Sequence, residues 1–139
     1  MTSREVEEGI SRACSQLYAE QRRLIANSAL EDGIVGRLAR YLDPLFPGWD
    51  VDAHYNREGA GRKSKQDGMG LIIPDIVIHT AGVKAGPNLV AIEVKGYWNT
   101  EDREEDETNL KRLAAEYGYE FLFRVELRRE TFELIRVTA

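Results

Sequence analysis

The sequence predicts an α/β protein in which a mixed central sheet is flanked by helices. Three observations predict this fold class. Two amphipathic helical patterns come first, three strand-like runs follow, and a third helical pattern separates these from two more strand-like runs. The predicted order of elements is therefore α-α-β-β-β-α-β-β. The chain has 139 residues, of which 42% are hydrophobic, so we expect one domain, spanning 1–139, with its own core.

The first helix is predicted over residues 4–25. Apolar residues recur there at helical spacing, namely Val6, Ile10, Cys14, Leu17 and Leu24. Thr2 and Glu5 match a capping box at its start. This helix carries no candidate chemistry, so we treat residues 1–26 as an N-terminal extension that packs on the core or forms a dimer contact.

The second helix is predicted over about residues 28–43. Its apolar stripe consists of Leu30, Ile34, Leu38 and Leu42, and Pro44, Pro47 and Gly48 end it. Ser28 and Glu31 again match a capping box. On this basis alone Glu31 has a purely structural role.

A first strand is predicted over 50–55, where apolar and polar residues alternate. His54 in this strand is either a ligand or base, or a hydrogen-bonded structural residue. No second His or Cys stands at metal-ligand spacing, which favours the structural role. Residues 56–70, with four glycines, are predicted to form a long loop.

The third helix is predicted over 100–117, with Asn99 or Thr100 as its cap and Gly118 at its C-terminal end. Its apolar face is formed by Leu110, Leu113, Ala114 and Tyr117. The acidic run at 101–107 is interpreted as a solvated helix start, where the helix dipole favours negative charge. Two strands, over 120–126 and 131–137, complete the chain, and Arg128 and Arg129 make the turn between them.

The most informative stretch is residues 72–95, which contains two strand-like runs rich in Ile and Val, over 72–80 and 88–95. Asp75 lies in the first run, and Glu93 and Lys95 lie in the second. An antiparallel hairpin that pairs Thr80 with Asn88 places Asp75 directly opposite Glu93, with Cβ atoms ~5 Å apart. Because like charges so placed repel, we expect a bound cation between them.

Carboxylate oxygens are the ligands that Mg²⁺ prefers, and Mn²⁺ takes the same donors. Lys95 shares the strand face of Glu93, where its ammonium can orient a water molecule and stabilise developing negative charge. Two acids and one lysine on a single sheet face therefore predict a small phosphodiester-cleaving site.

Pro74-Asp75 followed by Glu93-Val94-Lys95 resembles the PD-(D/E)XK signature of the restriction-endonuclease-like nucleases. The αβββαβ order over residues 28–126 is similar to the core of that family, which leaves an extra N-terminal helix and an extra C-terminal strand. The resemblance implies a metal-dependent nuclease that acts on DNA, with Asp75 and Glu93 as ligands of Mg²⁺ or Mn²⁺. It also implies a ligand role for the backbone carbonyl of Val94.

The resemblance extends to residues outside the motif. In this family the helix before the first strand often contributes an acid, so Glu31 is a candidate metal-site residue as well as a candidate cap. Lys111 lies near the position of a polar or basic residue in many members. Basic residues of the 56–70 loop suit contact with the phosphate backbone, although each alone fits a solvated loop; they are Arg57, Arg62, Lys63 and Lys65.

The net charge of −5 does not argue against DNA, because residues 101–107 alone carry six acids and one arginine. No apolar run approaches the ~20 residues of a membrane span, and the first residues are charged. With a single cysteine, the composition leads us to expect a cytoplasmic protein without a membrane partner.

Two alternatives to the nuclease remain open. One is a non-catalytic DNA-binding or protein-interaction module on the same fold, because the chain shows no element that reads DNA and is short enough to need a homodimer or a larger complex for specificity. The other treats Asp75 and Lys95 as a buried ion pair in an unrelated α/β protein, which leaves Glu93 unexplained.

Overall fold

The computed structural model describes residues 1–55, 72–82 and 86–139. Within them the elements are α1 (Ser3–Ala26), α2 (Glu31–Leu42), a 3₁₀ turn (Asp43–Leu45), β1 (Asp50–Ala53), β2 (Ile76–His79), β3 (Asn88–Gly96), α3 (Arg103–Tyr117), β4 (Phe121–Leu127) and β5 (Phe132–Val137). This order confirms the predicted α-α-β-β-β-α-β-β sequence of helices and strands. The predicted loop over 56–70 lies outside the described residues.

The five described strands form one mixed sheet in the order β1-β2-β3-β4-β5. All neighbours pair antiparallel except β3 and β4, which are parallel. Parallel neighbours need a crossover connection, and α3 supplies it. The described residues therefore form an α/β fold built on a five-stranded mixed sheet with three α-helices.

Two apolar clusters lie on opposite faces of this sheet. The larger contains the buried residues of α1 and α2 together with Ile76, Ile92 and Phe123. The smaller joins Leu110 of α3 to Ala91 of β3 and other residues of that face. Strand β3 is thus covered on both faces, which explains why its sequence is an almost continuous apolar run. The α3 face is the one that carries Glu93 and Lys95, since side chains alternate along a strand.

Of the N-terminal helix caps predicted from the sequence, only that of α1 is confirmed. The Thr2 side chain accepts from Glu5 N (3.1 Å) and the Glu5 carboxylate accepts from Thr2 N (2.8 Å), a complete capping box. The capping box predicted from Ser28 and Glu31 is wrong. Ser28 has a left-handed backbone (φ 52°), and α2 begins three residues later with Leu30 as an N-cap that makes no side-chain hydrogen bond. Glu31 is consequently the first helical residue, not the third.

The strands next to the site are shorter than predicted. β1 ends at Ala53 because His54 turns the chain into a left-handed conformation (φ 52°) that a strand does not adopt. β2 begins only at Ile76, the residue that pairs with Ala53 at the end of β1, although β3 on its other side continues to Gly96. Asp75 thus sits just before the strand, at the open end of the pair.

The predicted pairing of Thr80 with Asn88 is also wrong. His79 pairs with Asn88, and a bulge between Ile78 and His79 shifts the register at the loop end. Beyond the bulge Ile76 pairs with Ile92, which is the register that the sequence predicted there. If this pairing is continued by one residue beyond Ile76 and Ile92, Asp75 lies opposite Glu93, as expected.

The remaining ends differ by a few residues. α3 begins at Arg103 rather than at 100, because the Asp102 side chain, and not that of Asn99 or Thr100, accepts a hydrogen bond from the first turn. Gly118 caps its C-terminal end in the predicted left-handed conformation (φ 73°). β4 and β5 each begin one residue later than predicted. No helix in the described part of the chain is long and apolar enough to cross a lipid bilayer.

Candidate active site

The centre of the candidate site is the pair of carboxyl groups on Asp75 and Glu93. Both side chains are partly buried and lie within hydrogen-bonding reach of each other. Val94 N donates to Asp75 Oδ2 at 2.7 Å, which fixes that carboxyl against the β3 backbone where β2 has not yet begun. The predicted juxtaposition of these two acids is therefore present.

Burial and mutual repulsion shift both acids toward the neutral form. Burial, followed by the Asp75 charge, raises the pKa of Glu93 to about 9. Burial also raises the pKa of Asp75, although the hydrogen bond from Val94 N opposes the shift. A site that holds two such acids gains free energy from any cation that lets both of them ionise.

Lys95 lies on the same sheet face but pairs with other acids. Its Nζ is 3.3 Å from Asp106 Oδ1 on α3 and 3.4 Å from Glu101 Oε1 in the turn before α3. These are its ion-pair partners among the described residues, so the alternative of an Asp75–Lys95 ion pair is not what the structure contains. Burial tends to lower the pKa of Lys95, but the charges of Asp106 and Glu101 outweigh it and the net shift is upward. The charged ammonium form of Lys95 is therefore favoured.

Glu31 reaches the same region from α2. Its Oε2 accepts from Gly96 N at 3.0 Å and from Asn99 Nδ2 at 2.9 Å. Gly96 directly follows Lys95, so the helix acid is bound to the end of the strand that carries Glu93. The carboxylate that the sequence assigned to a helix cap is thus turned toward the candidate site.

The turn from Gly96 to Glu101 is held by Arg103. The Arg103 guanidinium donates to the carbonyl oxygens of Asn99 (2.5 Å), Glu101 (2.8 Å) and Gly96 (3.3 Å), and its Nε lies 3.2 Å from Glu126 Oε2 on β4. A planar guanidinium that makes several hydrogen bonds at once holds its partners in a fixed geometry. It fixes the turn from which Glu101 reaches Lys95.

Gly96 has a second, steric role in this turn. A Cβ added there would lie 2.5–2.6 Å from ring atoms of Trp98. The strand therefore ends at a residue that has room only for glycine, with its N–H directed at Glu31.

The Val94 carbonyl points toward the open end of β2. The N–H and C=O of one strand residue are directed to the same side of the strand, and Val94 N donates to Asp75 on that side. This orientation agrees with the ligand role that the family resemblance implies for it.

His54 is closer to the site than the sequence suggested. Its N–H donates to Asp75 O at 2.8 Å, and its Nε2 is 3.6 Å from Asp32 Oδ1 on α2. Its charge, when protonated, favours ionisation of Asp75. We assign it a supporting role in placing Asp75.

Of the remaining predicted residues, only Lys111 is described, and it is not brought to this centre. Lys111 is exposed on α3, about 140° around the helix from Asp106 at 100° per residue. Four predicted phosphate contacts lie outside the described residues, in the 56–71 gap: Arg57, Arg62, Lys63 and Lys65. Their roles stay predictions.

Sequence reasoning missed three residues that organise the site: Asn99, Arg103 and Asp106. The acidic run at 101–107 was interpreted as wholly solvated, whereas Asp106 is 8% exposed. Its signal was present in the helical spacing, because Asp106 precedes Leu110 by four residues and therefore lies on the buried face. No comparable pattern marks Asn99 or Arg103, whose contacts depend on the shape of the turn.

Mg²⁺ typically binds one or two protein carboxylates and completes its shell with water and phosphate oxygens. Asp75 and Glu93, with the Val94 carbonyl beside them, suit that donor set. No group of three or more His, Cys, Asp or Glu side chains in the described residues is arranged to hold a metal.

No protein-family model, no curated protein and no solved structure matches this chain. The functional assignment below therefore rests on the geometry of the site and on the motif resemblance.

Proposed function

We propose that the protein is a Mg²⁺- or Mn²⁺-dependent nuclease that hydrolyses phosphodiester bonds in DNA, on a restriction-endonuclease-like αβββαβ core. The observation that carries the proposal is the Asp75–Glu93 carboxyl pair at the open end of the β2–β3 hairpin, with the Lys95 ammonium on the same sheet face. The order of elements around this hairpin, with Glu31 supplied by the preceding helix, supports the same core. DNA as the substrate rests on the motif resemblance.

Asp75 and Glu93 would hold the metal, with the Val94 carbonyl as a further donor and Glu31 at a second metal or its water. When bound, the metal supplies positive charge to the phosphate oxygens and to the leaving oxygen. In the net reaction the water oxygen forms a bond to phosphorus, the bond from phosphorus to the leaving sugar oxygen breaks, and one water proton ends on that oxygen by way of solvent.

The chain's own residues orient the attacking water. The Lys95 ammonium donates to the water and to the developing negative charge, and Asp106 and Glu101 fix its position. Glu31 and Asn99 hold the end of β3 in place through Gly96 and the following turn. Positioning of this kind accounts for much of the rate enhancement in phosphodiester cleavage.

One observation favours a second candidate, the non-catalytic module on the same fold. Both Lys95 and Glu31 are already engaged by protein groups, as they would be in a purely structural cluster. Under this alternative the Asp75–Glu93 pair is a neutral hydrogen-bonded carboxyl pair and the protein binds DNA or another protein without cutting.

A cleavage assay separates the two candidates. The wild type, Lys95→Ala and the control Arg40→Ala, which removes an exposed charge on α2, are incubated with supercoiled, linear, branched and single-stranded DNA. Each reaction contains Mg²⁺, Mn²⁺ or EDTA. We expect metal-dependent cutting by the wild type and by Arg40→Ala, and loss of about 10²-fold or more in rate for Lys95→Ala. Absence of cutting on every substrate, with no metal-induced rise in melting temperature, would establish the non-catalytic module instead.

A further inference from the structure

Aromatic, apolar and basic side chains meet at the end of the sheet where the candidate site lies. Tyr97 and Trp98 directly follow β3, and their rings meet edge to face with centroids 4.9 Å apart. The guanidinium of Arg129 lies over the Tyr97 ring, 5.0 Å from its centroid. The two segments are neighbours because Gly96, the last residue of β3, pairs with Leu127 at the end of β4.

The two aromatic rings are held in place by the protein. The Tyr97 hydroxyl donates to Ile25 O at 3.0 Å and accepts from Ser28 Oγ at 3.1 Å. Trp98 packs directly on Gly96, where no side chain would fit. Both rings nevertheless remain partly exposed. Fixed aromatic rings lose little conformational freedom when a nucleic-acid base stacks on them.

Arg129 gives this surface a positive charge that no described acid neutralises. Its side chain is exposed, and within the described part of the chain it makes no ion pair. The residues on either side of it differ, because Arg128 pairs with Glu133 and Glu130 pairs with Arg22 at 3.1 Å. Phosphate is a group that an unneutralised guanidinium binds well.

Leu30 extends the same surface toward α2. It lies between Ser28, which contacts Tyr97, and Glu31, which accepts from Gly96 N. Its side chain is 85% exposed at the N-cap of α2, where the backbone (φ −55°, ψ 130°) would suit a capping serine or asparagine. An exposed leucine at this position stabilises neither the helix nor the core, and a ligand with apolar surface that covers it gives it a role.

The positions of these residues favour one form of DNA. Glu93 lies on the α3 face, whereas Tyr97 and Trp98 pack against the cluster on the opposite face. Glu93 and Gly96 are three residues apart, which is ~10 Å along a strand. DNA that reaches both must turn around the end of β3 over about that distance. Duplex DNA is stiff over ~150 base pairs, whereas a single strand bends easily and exposes its bases for stacking.

We propose that the surface formed by Leu30, Tyr97, Trp98 and Arg129 binds an unpaired DNA segment next to the scissile phosphate. Arg129 contacts a phosphate of that segment, and Leu30 and the two rings contact its bases. The inference rests on the proposed nuclease function, since it names the form of DNA that the same site takes: single-stranded DNA, or branched DNA with a single-stranded arm.

Equilibrium binding tests the surface separately from cutting. Fluorescence anisotropy is measured with a short labelled oligothymidylate and with a duplex of the same length, both in EDTA and in Ca²⁺. We expect the wild type to bind the single strand at least about tenfold more tightly than the duplex. Arg129→Ala should weaken binding of the single strand about tenfold. The matched control is Arg128→Ala, which removes the ion-paired arginine of the same turn and should stay within about twofold of the wild type.

Leu30→Ser provides a second variant whose effect cannot come from misfolding. We expect it to raise the melting temperature by about 2–5 °C, because serine caps α2. The same variant should bind the single strand about threefold or more weakly, because the apolar contact with the bases is lost.

The surface would be overturned if the wild type bound both DNA forms equally or bound neither. Unchanged binding in both Arg129→Ala and Leu30→Ser would overturn it as well. A dimer by sedimentation that Leu30→Ser dissociates would assign the surface to a second copy of the chain instead. Each of these outcomes leaves the nuclease assignment to the cleavage assay. Conversely, selective binding of the single strand by a wild type that cuts no DNA would overturn the nuclease assignment and leave the binding surface standing.

Discussion

At the scale of single residues, the burial of the Asp75–Glu93 pair costs free energy. Two carboxyl groups share a partly buried site, where desolvation and repulsion both oppose ionisation. A folded protein keeps such a pair when something else in its function requires both acids. The pair therefore allows two predictions that separate a metal site from a structural one.

The first concerns Asp75→Asn. In the metal-free protein we expect it to raise the free energy of unfolding by roughly 1 kcal/mol, since the amide oxygen can still accept from Val94 N while repulsion with Glu93 is lost. Thermal unfolding with and without Mn²⁺ measures this, and the metal-induced rise in melting temperature should disappear. Asp43→Asn, which changes an exposed acid just after α2, is the control. A lower melting temperature for metal-free Asp75→Asn would contradict the proposed repulsion.

The second concerns pH. Because the pKa of Glu93 is about 9 in the folded protein against 4.5 ordinarily, the folded state binds more protons than the unfolded chain between these values. The stability of the metal-free protein should therefore fall as pH rises from about 5 to 9. Melting temperatures across this range measure the slope. Glu93→Gln should make the stability nearly independent of pH over this range. An equally steep slope in that variant would show that other groups cause the pH dependence.

The sequence could predict the acid pair because period-2 alternation and the hairpin register determine which side chains meet. Asp106 was missed for a physical reason. In the sequence it is one of six acids whose summed charge suggests solvent exposure, whereas in the structure Asp106 is buried and Glu107 pairs with Arg124 of β4. Contacts of Asn99 and Arg103 depend on a turn whose shape no periodicity encodes.

At the scale of elements, the start of α2 decides what Glu31 does. In a capping box the Glu31 carboxylate would accept a hydrogen bond from the N-cap backbone of its own helix. Since the helix begins at Glu31, the carboxylate is instead available to Gly96 N and Asn99. A shift of two residues in the helix cap, from Ser28 to Leu30, thus converts a local cap into a bond between α2 and β3.

A pair of substitutions tests this assignment. We expect Ser28→Ala to change the free energy of unfolding by less than about 0.5 kcal/mol, since its exposed hydroxyl caps nothing. Glu31→Ala should cost about 1–3 kcal/mol, because it leaves Gly96 N without its acceptor. Urea unfolding of both variants gives the values. A cost of 1 kcal/mol or more for Ser28→Ala, the size expected for a lost cap, would argue for the capping box.

The helices and strands themselves were predictable in number and order, but their ends near the site were not. His54 and Ser28 adopt left-handed conformations that nothing in their local sequence requires. The bulge between Ile78 and His79 likewise depends on pairing with β3. These irregularities arise from tertiary contacts, and one of them, at His54, lies beside the site because the His54 N–H donates to Asp75 O.

At the scale of the whole molecule, α1 is part of the core rather than an appendage. Its buried residues belong to the same cluster as Ile92 and Phe123 of the sheet. The Tyr18 hydroxyl lies 2.6 Å from the carbonyl oxygens of Arg128 and Thr131, which ties the helix to the β4–β5 turn. Core packing, one of the two roles that the sequence interpretation gave to residues 1–26, is therefore present in the structure.

Deletion of α1 should therefore unfold the protein. We expect residues 28–139 alone to lose cooperative thermal unfolding by circular dichroism, because the larger core cluster would be exposed. Tyr18→Phe is a milder variant of the same contact and should lower the free energy of unfolding by about 1 kcal/mol. A cooperatively folded 28–139 fragment would show that the sheet and two helices suffice.

The steric limit at Gly96 has a consequence for finding relatives of this protein. A search pattern limited to Pro-Asp and Glu-x-Lys is short enough to occur by chance in many unrelated chains. Three further features can be added to that pattern: Trp98 packed against Gly96, Glu31 as the acceptor of the Gly96 N–H, and the buried Asp106. The longer pattern is a fingerprint that begins in α2 and ends in α3. Chains that carry the whole fingerprint would be the ones worth purifying alongside this one.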